Sequence, residues 1–264
     1  MTPQPDSHAT HTTSSEKTPI LQVEGVARRF GGESVLRDVA LRLHDKETLA
    51  VLGRSGCGKT TLLKILAGLT ELDAGRIWLE GREITHLPPQ KRDIVYLYQE
   101  PLLLPHLNLF ENIAFGLRLR HLPQAEISSR VTRLIEELQL SDHTRKMPHQ
   151  LSGGQRQRVA FGRALIVQPS LLLLDEPFSN LDVEIRAHMQ TLFKKIAADF
   201  GIPSLFVTHD LKEALLMGDR WAHMRDGVLC TYPNRQAFVE DPAVGVLREI
   251  EFWSGLADEG AEPR

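Results

Sequence analysis

A glycine-rich loop ending in a lysine and two threonines is the stretch whose residue types and spacing point most directly to chemistry. Residues Gly53–Thr61 fit the pattern G-x-x-x-x-G-K-[ST] at each fixed position. Glycines let the backbone N–H groups approach a polyphosphate, Lys59 supplies positive charge, and Thr60 offers a hydroxyl to Mg²⁺. The alternative, a glycine turn that happens to precede a lysine, does not explain a match at every fixed position. A nucleoside-triphosphate site is therefore predicted at Gly53, Arg54, Ser55, Gly56, Cys57, Gly58, Lys59, Thr60 and Thr61.

Two adjacent carboxylates follow a predicted buried strand. Leu171–Leu174 is wholly apolar, as is typical of parallel strands covered on both faces, and Asp175 and Glu176 come next. Asp175 is predicted to hold Mg²⁺, directly or through water, and Glu176 to accept a proton from the attacking water. The alternative is a pair of solvated carboxylates that cap the next helix. The nearby phosphate loop favours the catalytic interpretation.

A second glycine-bearing helix start lies further along the chain, at Leu151–Arg158. Ser152 suits the N-cap, and the glycines expose backbone N–H groups at the positive end of the helix. One mononucleotide needs only one such anion site, so a second site suggests a nucleotide held by another subunit. The alternative is a capped helix with a flexible entry. The candidate contact residues are Ser152, Gly153, Gly154 and Gln155.

Three single residues at or near predicted strand ends are further candidates. His209 follows the strand Ser204–Thr208 and could contact a γ-phosphate or orient water, although histidines at strand ends are more often capping or core residues. Gln99, after the strand Asp93–Tyr98, could reach Mg²⁺ or the water. Phe30 could stack on a base, a type of contact worth ~1–3 kcal/mol, but an aromatic residue on a strand usually belongs to the core.

Strands alternate with helices over most of the chain, which predicts a mainly parallel sheet with ligands at the carboxyl ends of its strands. Helices concentrate between the strands in residues 100–167, as expected for an inserted helical subdomain. The predicted strands are Leu21–Phe30, Val39–Leu43, Thr48–Leu52, Asp93–Tyr98, Leu171–Leu174 and Ser204–Thr208, with hairpins at Arg76–Ile84 and Trp221–Cys230. The predicted helices are Lys59–Leu66, Leu109–Arg120, Ala125–Leu140, Gly153–Val167, Val183–Phe200 and Leu211–Met217.

The bulk composition excludes several classes of protein. A net charge of −3 gives no general attraction to nucleic acid, and no nucleic-acid partner is expected. Two cysteines are too few for a disulfide framework. No apolar run approaches the ~20 residues that cross a bilayer. Residues 1–18 lack the apolar stretch of a signal peptide and are expected to be a disordered tail, so membrane association would come through a partner.

With these motifs in place, the chain resembles the nucleotide-binding subunit of ATP-binding-cassette (ABC) transporters from about Leu21 to Val228. The resemblance implies a P-loop NTPase cassette with a mainly parallel core sheet, an antiparallel β subdomain and an inserted helical subdomain. It implies catalytic roles for Glu176, His209 and Gln99, and a Mg²⁺ site at Thr60, Gln99 and Asp175. The matching motifs are the adenine-stacking aromatic Phe30, the Walker A loop Gly53–Thr60, the Q-loop Gln99, the signature Leu151–Gln155, the Walker B strand Leu171–Glu176, the D-loop Ser179–Asp182 and the switch His209.

The resemblance also implies partners. ATP would lie between the Walker A loop of one copy and Ser152–Gln155 of a second copy in a head-to-tail homodimer. A transmembrane permease would hold the dimer at the cytoplasmic face of the inner or plasma membrane, with an extracytoplasmic solute-binding protein in the complex. Contact with the permease is expected at Gln99–Phe115. Apolar candidates there are Leu102–Leu104, Leu107, Leu109 and Phe110, some of which must instead be buried.

The segment Tyr98–Leu117 looks like importer cassettes, both those serving nitrate, sulfonate or taurine and those serving polyamines, ferric iron or sulfate. The second group usually carries a C-terminal regulatory domain, so a chain with only residues 231–264 after the cassette is expected to be closer to the first. Two positions depart from the usual pattern: Arg54 replaces a proline, and Asn180 replaces an alanine in the D-loop. Asn180 could alter communication between two sites.

The expected domain division is a tail at 1–18, an ATPase domain at 19–230 and a short extension at 231–264, in which Glu249–Trp253 could form a short helix that packs Phe252 and Trp253. Three alternatives remain open for the function. They are an efflux or lipoprotein-release ATPase, a soluble ABC ATPase of DNA repair or translation, and a regulatory module without activity. Intact Lys59, Asp175, Glu176 and His209 argue against the last of these.

Overall fold

Two sheets and a block of helices make up the part of the chain that the computed structural model describes, residues 18–251. The predicted tail, apart from Thr18, and the predicted packing of Phe252 and Trp253 lie outside these residues. The strands are β1 Leu21–Phe30, β2 Glu33–Leu43, β3 Thr48–Leu52, β4 Ala74–Leu79, β5 Arg82–Glu83, β6 Ile94–Leu97, β7 Leu171–Asp175, β8 Ser204–Thr208, β9 Arg220–Arg225 and β10 Val228–Thr231. The helices are α1 Lys59–Leu66, α2 Leu109–Leu119, α3 Gln124–Glu137, α4 Gly153–Leu165, α5 Val183–Phe200, α6 Leu211–Met217 and α7 Arg235–Glu240. Short 3-10 turns lie at Pro89–Lys91, Ser141–His143 and Pro148–Gln150.

The larger sheet has six strands in the order β10-β9-β3-β8-β7-β6. Strands β9, β3, β8, β7 and β6 run parallel, and β10 closes the edge by antiparallel pairing with β9. Every residue of β7 and β8 is buried, which explains the apolar runs Leu171–Leu174 and Leu205–Val207 within them. The carboxyl ends of β3, β7 and β8 therefore meet at one edge, where parallel sheets place ligands.

The smaller sheet is antiparallel, in the order β2-β1-β4-β5. Strand β2 is longer than predicted because it pairs with β1 along nearly its whole length. The turn between β4 and β5 has positive φ at Glu80 and Gly81, the backbone geometry that tight hairpins need. The apolar face of this sheet packs with α1 and with one face of the larger sheet in a single core cluster.

Helices α2, α3 and α4 form a block on the face of the larger sheet that points away from α1 and the smaller sheet. One face of α3 is apolar and buried, including Ile127, Val131 and Leu134. Gly162 of α4 lets this helix lie close to its neighbours, because an added Cβ would stand 2.7 Å from Leu138 and 2.9 Å from Ile113. Each of these helices ends one to three residues before its predicted last residue, because helix ends commonly fray.

The segment after β10 joins the main core, although the sequence indicated a helix there only from Glu249 onward and none at α7. Phe238 of α7 is fully buried and contacts the rings of Trp221 and Tyr232. Val246 is also buried, and residues 246–251 are helical. Tyr232 donates a hydrogen bond of 2.5 Å to Asp241, which closes the segment on itself.

The predicted fold class is confirmed: a mainly parallel core sheet, an antiparallel sheet and a set of helices between β6 and β7. Among residues 18–251, no helix combines the length and the apolar character that crossing a bilayer requires.

Candidate functional site

The glycine-rich loop connects β3 to α1 and wraps around the Lys59 ammonium group. This ammonium is buried and donates to the carbonyls of Gly53 at 2.7 Å and Arg54 at 3.0 Å. Gly58 has φ 112°, and an added Cβ would stand 2.9 Å from the Val35 carbonyl oxygen, so only glycine fits there. The loop therefore has the strand–loop–helix geometry that presents backbone N–H groups and a lysine to an anion.

The predicted magnesium ligands come together at the edge formed by β7 and α1. The Thr60 hydroxyl, in the first turn of α1, donates to Oδ1 of Asp175 at 3.0 Å. Asp175 ends β7 and is 7% exposed, so its carboxylate is held between the loop and the sheet. The contact joins two residues that the sequence analysis assigned to one magnesium site, and it depends on α1 packing against β7.

Glu176 takes a backbone conformation that non-glycine residues rarely adopt, with φ 46°. This left-handed geometry costs of order 1–3 kcal/mol and is found preferentially at functional sites. It turns the carboxylate toward two nitrogen groups: Oε1 lies 3.6 Å from the Lys59 ammonium, and Oε2 lies 2.7 Å from Nδ1 of His209. Strands β7 and β8 are neighbours, which is why residues following each of them meet.

Gln99 lies two residues beyond the end of β6 and reaches across to the D-loop. Its Nε2 atom donates to the Ser179 hydroxyl at 3.0 Å, and this hydroxyl donates to the carbonyl of Glu176 at 2.9 Å. Motif order alone did not suggest Ser179 as the contact of Gln99. One cavity brings together half of the predicted site residues; it is lined by Val35, Ser55, Gly56, Gly58, Lys59, Thr60, Thr61, Gln99, Asp175 and Glu176.

The remaining loop residues and His209 border a neighbouring open cleft. Gly53, Arg54 and Cys57 line it together with His209 and the segment near Val244. Burial raises the pKa of the Cys57 thiol more than the nearby Lys59 charge lowers it. The thiol is therefore less acidic than an ordinary cysteine, which favours the interpretation of Cys57 as a space-filling residue over that of a reactive one.

Tyr96 was missed by the sequence analysis. Its hydroxyl donates to Oδ2 of Asp175 at 2.5 Å, so both carboxylate oxygens of Asp175 have a donor. Burial, reinforced by the hydrogen bond to Asp175, raises the pKa of Tyr96 far above its usual value, and the phenol remains a donor at neutral pH. The feature of the sequence that could have indicated Tyr96 is a tyrosine near the carboxyl end of a predicted strand.

Phe30 is not a core residue, because 45% of its surface is exposed at the end of β1. The Arg28 guanidinium lies 4.7 Å from its ring centroid, a cation–π distance. Arg28 also forms an ion pair of 2.8 Å with Asp73, which holds the guanidinium over the ring. An exposed ring anchored in this way can stack on a base.

The second glycine-bearing helix start has the predicted N-cap. The Ser152 hydroxyl accepts from the backbone N–H of Gln155 at 3.2 Å, and Oε1 of Gln155 accepts from the Ser152 backbone N–H at 2.9 Å. Gly153 faces open space, but Gly154 is buried, because an added Cβ would stand 2.7 Å from Ile185. Gly153 and Asn180 border a separate cavity with Glu100 and Arg156. Within one chain, these residues do not line the cavity of the phosphate loop.

The oxygen donors at the loop fit Mg²⁺, a hard cation that prefers carboxylate, hydroxyl and phosphate oxygens. Thr60 and Asp175 already share a 3.0 Å contact, and Gln99 lines the same cavity. Within residues 18–251 there is no group of three or more histidine, cysteine, aspartate and glutamate side chains that could hold a metal ion.

The apolar segment predicted as a permease contact is only partly exposed. Leu109 is fully buried, and Leu103 and Phe110 pack against the main core. Leu102 is 54% exposed and Phe115 is 36% exposed. The surface available to a partner in this segment is therefore smaller than the sequence suggested, because the N-terminal turn of α2 needs these side chains for its own packing.

The chain has clear relatives. Residues 36–179 match the ABC transporter family. The spermidine/putrescine import ATP-binding protein PotA of Salmonella typhimurium is 44% identical over 237 residues, which cover 88% of this chain and 63% of the relative. PotA of Escherichia coli is 42% identical over 249 residues, which cover 93% of this chain and 66% of the relative.

The chain thus spans 63% of the first of these relatives and 66% of the second. These relatives are named for the import of spermidine and putrescine, which are polyamines. The family match covers the phosphate loop, the second glycine-bearing helix start and both adjacent carboxylates. Because that match extends over more than half of the sequence, the chain belongs to the ABC transporter family.

Proposed function

We propose that this protein binds and hydrolyses ATP with Mg²⁺, and that hydrolysis energises import of a small solute through a transmembrane permease. One observation carries the proposal. Lys59, Thr60, Asp175 and Glu176 line a single cavity, and His209 contacts Glu176 at its edge. A lysine, hard oxygen ligands and a candidate base at one sheet edge are the groups that hydrolysis of a phosphoanhydride requires.

Each side chain is assigned one task. The loop N–H groups and the Lys59 ammonium bind the phosphates, and Phe30 stacks on the base. Glu176 accepts a proton from the attacking water, and His209 holds the Glu176 carboxylate and contacts the γ-phosphate. Thr60, Gln99 and Asp175 would hold Mg²⁺, which when bound neutralises phosphate charge and polarises the bond to be broken.

A head-to-tail homodimer would complete the site. Ser152–Gln155 form a capped helix start, and the exposed Gly153 borders a different cavity from the phosphate loop of the same chain. A second copy in which this helix start faces the loop would supply the missing anion contacts. This arrangement predicts hydrolysis that depends on protein concentration in the range where the dimer forms.

The import role and the location rest on relatives rather than on the site. PotA relatives are named as import ATP-binding proteins, which favours import over efflux and over soluble ATPases. We propose a permease and an extracytoplasmic solute-binding protein as partners, at the cytoplasmic face of the membrane, and no nucleic-acid partner. The proposed domain division remains 19–230 and 231–264, with the helical subdomain at about 100–167. Phe238 of the C-terminal extension nevertheless packs into the core of the ATPase domain.

The test of hydrolysis is a comparison of the wild type with Glu176→Gln. The variant keeps the shape of the side chain but removes the base, so ATP binding is expected to persist while phosphate release falls by ~10²–10³-fold. Glu184→Gln, a change in an exposed glutamate on α5, is the matched control and should hydrolyse ATP normally. Near-normal turnover by Glu176→Gln would refute the role assigned to Glu176.

The test of import uses the protein reconstituted with its permease in vesicles. Spermidine and putrescine, the solutes in the names of the relatives, are the first cargoes to measure. ATP-dependent uptake that Glu176→Gln abolishes would support import. Outward movement of solute, or hydrolysis that no permease stimulates, would favour an efflux or a soluble ATPase.

A further inference from the structure

Tyr96 lies at the border between the core sheet and the proposed magnesium site. It belongs to β6, which pairs in parallel with β7 so that Tyr96 stands opposite Leu173. The side chain reaches along the sheet edge to Asp175, two residues further on, and its hydroxyl donates to Oδ2 at 2.5 Å. No motif of the family resemblance includes this residue.

The two oxygens of Asp175 are held by donors from different elements. Thr60 in α1 donates to Oδ1, and Tyr96 in β6 donates to Oδ2. Hydrogen bonds to an ionised carboxylate are shorter and stronger than those between neutral groups. At a buried carboxylate, water is not available to replace a lost donor. Rotation of the carboxylate about its terminal bond would therefore break the hydrogen bond to Tyr96.

The ring of Tyr96 is itself fixed by its surroundings. The ring of Tyr98 meets it edge-on, with centroids 4.5 Å apart and planes inclined by 68°. Tyr98 directly precedes Gln99, another proposed magnesium ligand. The hydroxyl of Tyr96 therefore comes from a rigid strand and a packed ring, the kind of support that holds a ligand in one orientation.

We propose that Tyr96 is a positioning residue that locks the Asp175 carboxylate, so that Oδ1 stays directed toward Thr60 and this pair of oxygens is ready for Mg²⁺. The inference rests on the proposed function, since it assigns Tyr96 to the same magnesium site. Loss of an outer partner of a metal ligand typically costs 10–100-fold in metal affinity. The effect of Tyr96 should therefore appear in the magnesium dependence of nucleotide binding.

The test compares Tyr96→Phe with the wild type by titration with a fluorescent ATP analogue, once with Mg²⁺ and once with EDTA. Phenylalanine keeps the ring and its contact with Tyr98 but removes the hydroxyl. The gain in affinity caused by Mg²⁺ is expected to fall about tenfold or more, while affinity in EDTA stays within about twofold of the wild type. Unchanged binding in EDTA also shows that the variant is folded.

Tyr98→Phe is the matched control, because it removes a hydroxyl from the neighbouring, exposed ring without touching Asp175. It should retain the full gain from Mg²⁺. An undiminished gain in Tyr96→Phe, or equal losses with Mg²⁺ and with EDTA, would overturn the positioning role and leave the proposed function intact. A wild type whose nucleotide affinity does not respond to Mg²⁺ would overturn both.

Discussion

Nδ1 of His209 lies 2.7 Å from Oε2 of Glu176, and the two residues follow the neighbouring strands β8 and β7. An imidazole N–H at this distance donates to the carboxylate and holds it in one orientation. Because Glu176 is strained and half-buried, it depends on such a partner more than a solvated glutamate would.

His209→Ala is therefore expected to lower ATP hydrolysis by ~10²-fold while leaving ATP affinity within a few fold of the wild type. Phosphate release and nucleotide titration on the same preparation measure the two effects. His86→Ala, a change in an exposed histidine away from the site, is the control and should be normal in both assays. A parallel loss of affinity and turnover in His209→Ala would instead mean that His209 only binds nucleotide.

Ser152→Ala tests whether the second helix start serves a nucleotide or only caps α4. Loss of the cap should lower the free energy of unfolding by about 1 kcal/mol. If Ser152 also contacts the nucleotide of a second copy, hydrolysis should fall by at least tenfold.

Asn234→Ala is the matched control for Ser152→Ala. Asn234 caps α7 in the same way, by accepting from the backbone N–H of Ala237 at 2.8 Å, but lies outside the proposed site. Its removal should cost a similar amount of stability without loss of hydrolysis. Equal activities of the two variants would reduce Ser152 to a structural cap.

Arg92→Ala should strongly destabilise the fold, because it removes a buried arginine side chain. The guanidinium is 4% exposed, and burial lowers its pKa. It donates at 2.7–2.9 Å to the backbone carbonyls of Ile65, Leu66, Thr85 and Leu87. These bonds tie the end of α1 to the segment before β6, and their loss is expected to cost about 2–4 kcal/mol.

Urea unfolding measures the effect of Arg92→Ala. The control is Arg82→Ala, a change in an exposed arginine on β5, which should stay within about 0.5 kcal/mol of the wild type. Similar midpoints for the two variants would contradict the structural role of Arg92.

Glu213 predicts a specific pH dependence of stability. It is buried in α6, where Oε2 accepts from the Thr208 hydroxyl at 2.7 Å and Oε1 accepts from the amide of Gln190 at 3.1 Å. Desolvation raises its pKa above the ordinary value of 4.5; Asp210 also raises it, and Arg186 partly opposes the rise. The folded state then binds this proton more tightly than the unfolded state, so stability falls as pH rises from 4.5 through the folded pKa.

Glu213→Gln should remove this contribution, because the amide does not titrate. The free energy of unfolding of the wild type, minus that of the variant, is expected to decline with rising pH above 4.5, by at most ~1.4 kcal/mol per pH unit. Urea unfolding across this range measures it. Glu71→Gln, in an exposed glutamate, should give a flat difference, and a flat difference for Glu213→Gln would contradict the prediction.

Most elements and the family could be predicted from local residue patterns. The strands Leu21–Phe30 and Ser204–Thr208 and the helix Val183–Phe200 have the predicted bounds, because alternation, apolar runs and caps are local signals. The helix α7 was not predicted, because six residues are too few for a stable helix on their own. Its stability depends on the packing of Phe238 against the ring of Trp221.

The phosphate loop, the adjacent carboxylates and the motif order typical of the family could be read from residue type and spacing alone. The contacts between side chains depend on the folded sheet: Thr60 contacts Asp175, Glu176 contacts His209, and Tyr96 contacts Asp175. Strand order and register bring together residues that lie 33 to 115 positions apart, and no local pattern encodes that order. For that reason a local motif indicates the phosphate loop, whereas the role of Tyr96 depends on the pairing of β6 with β7.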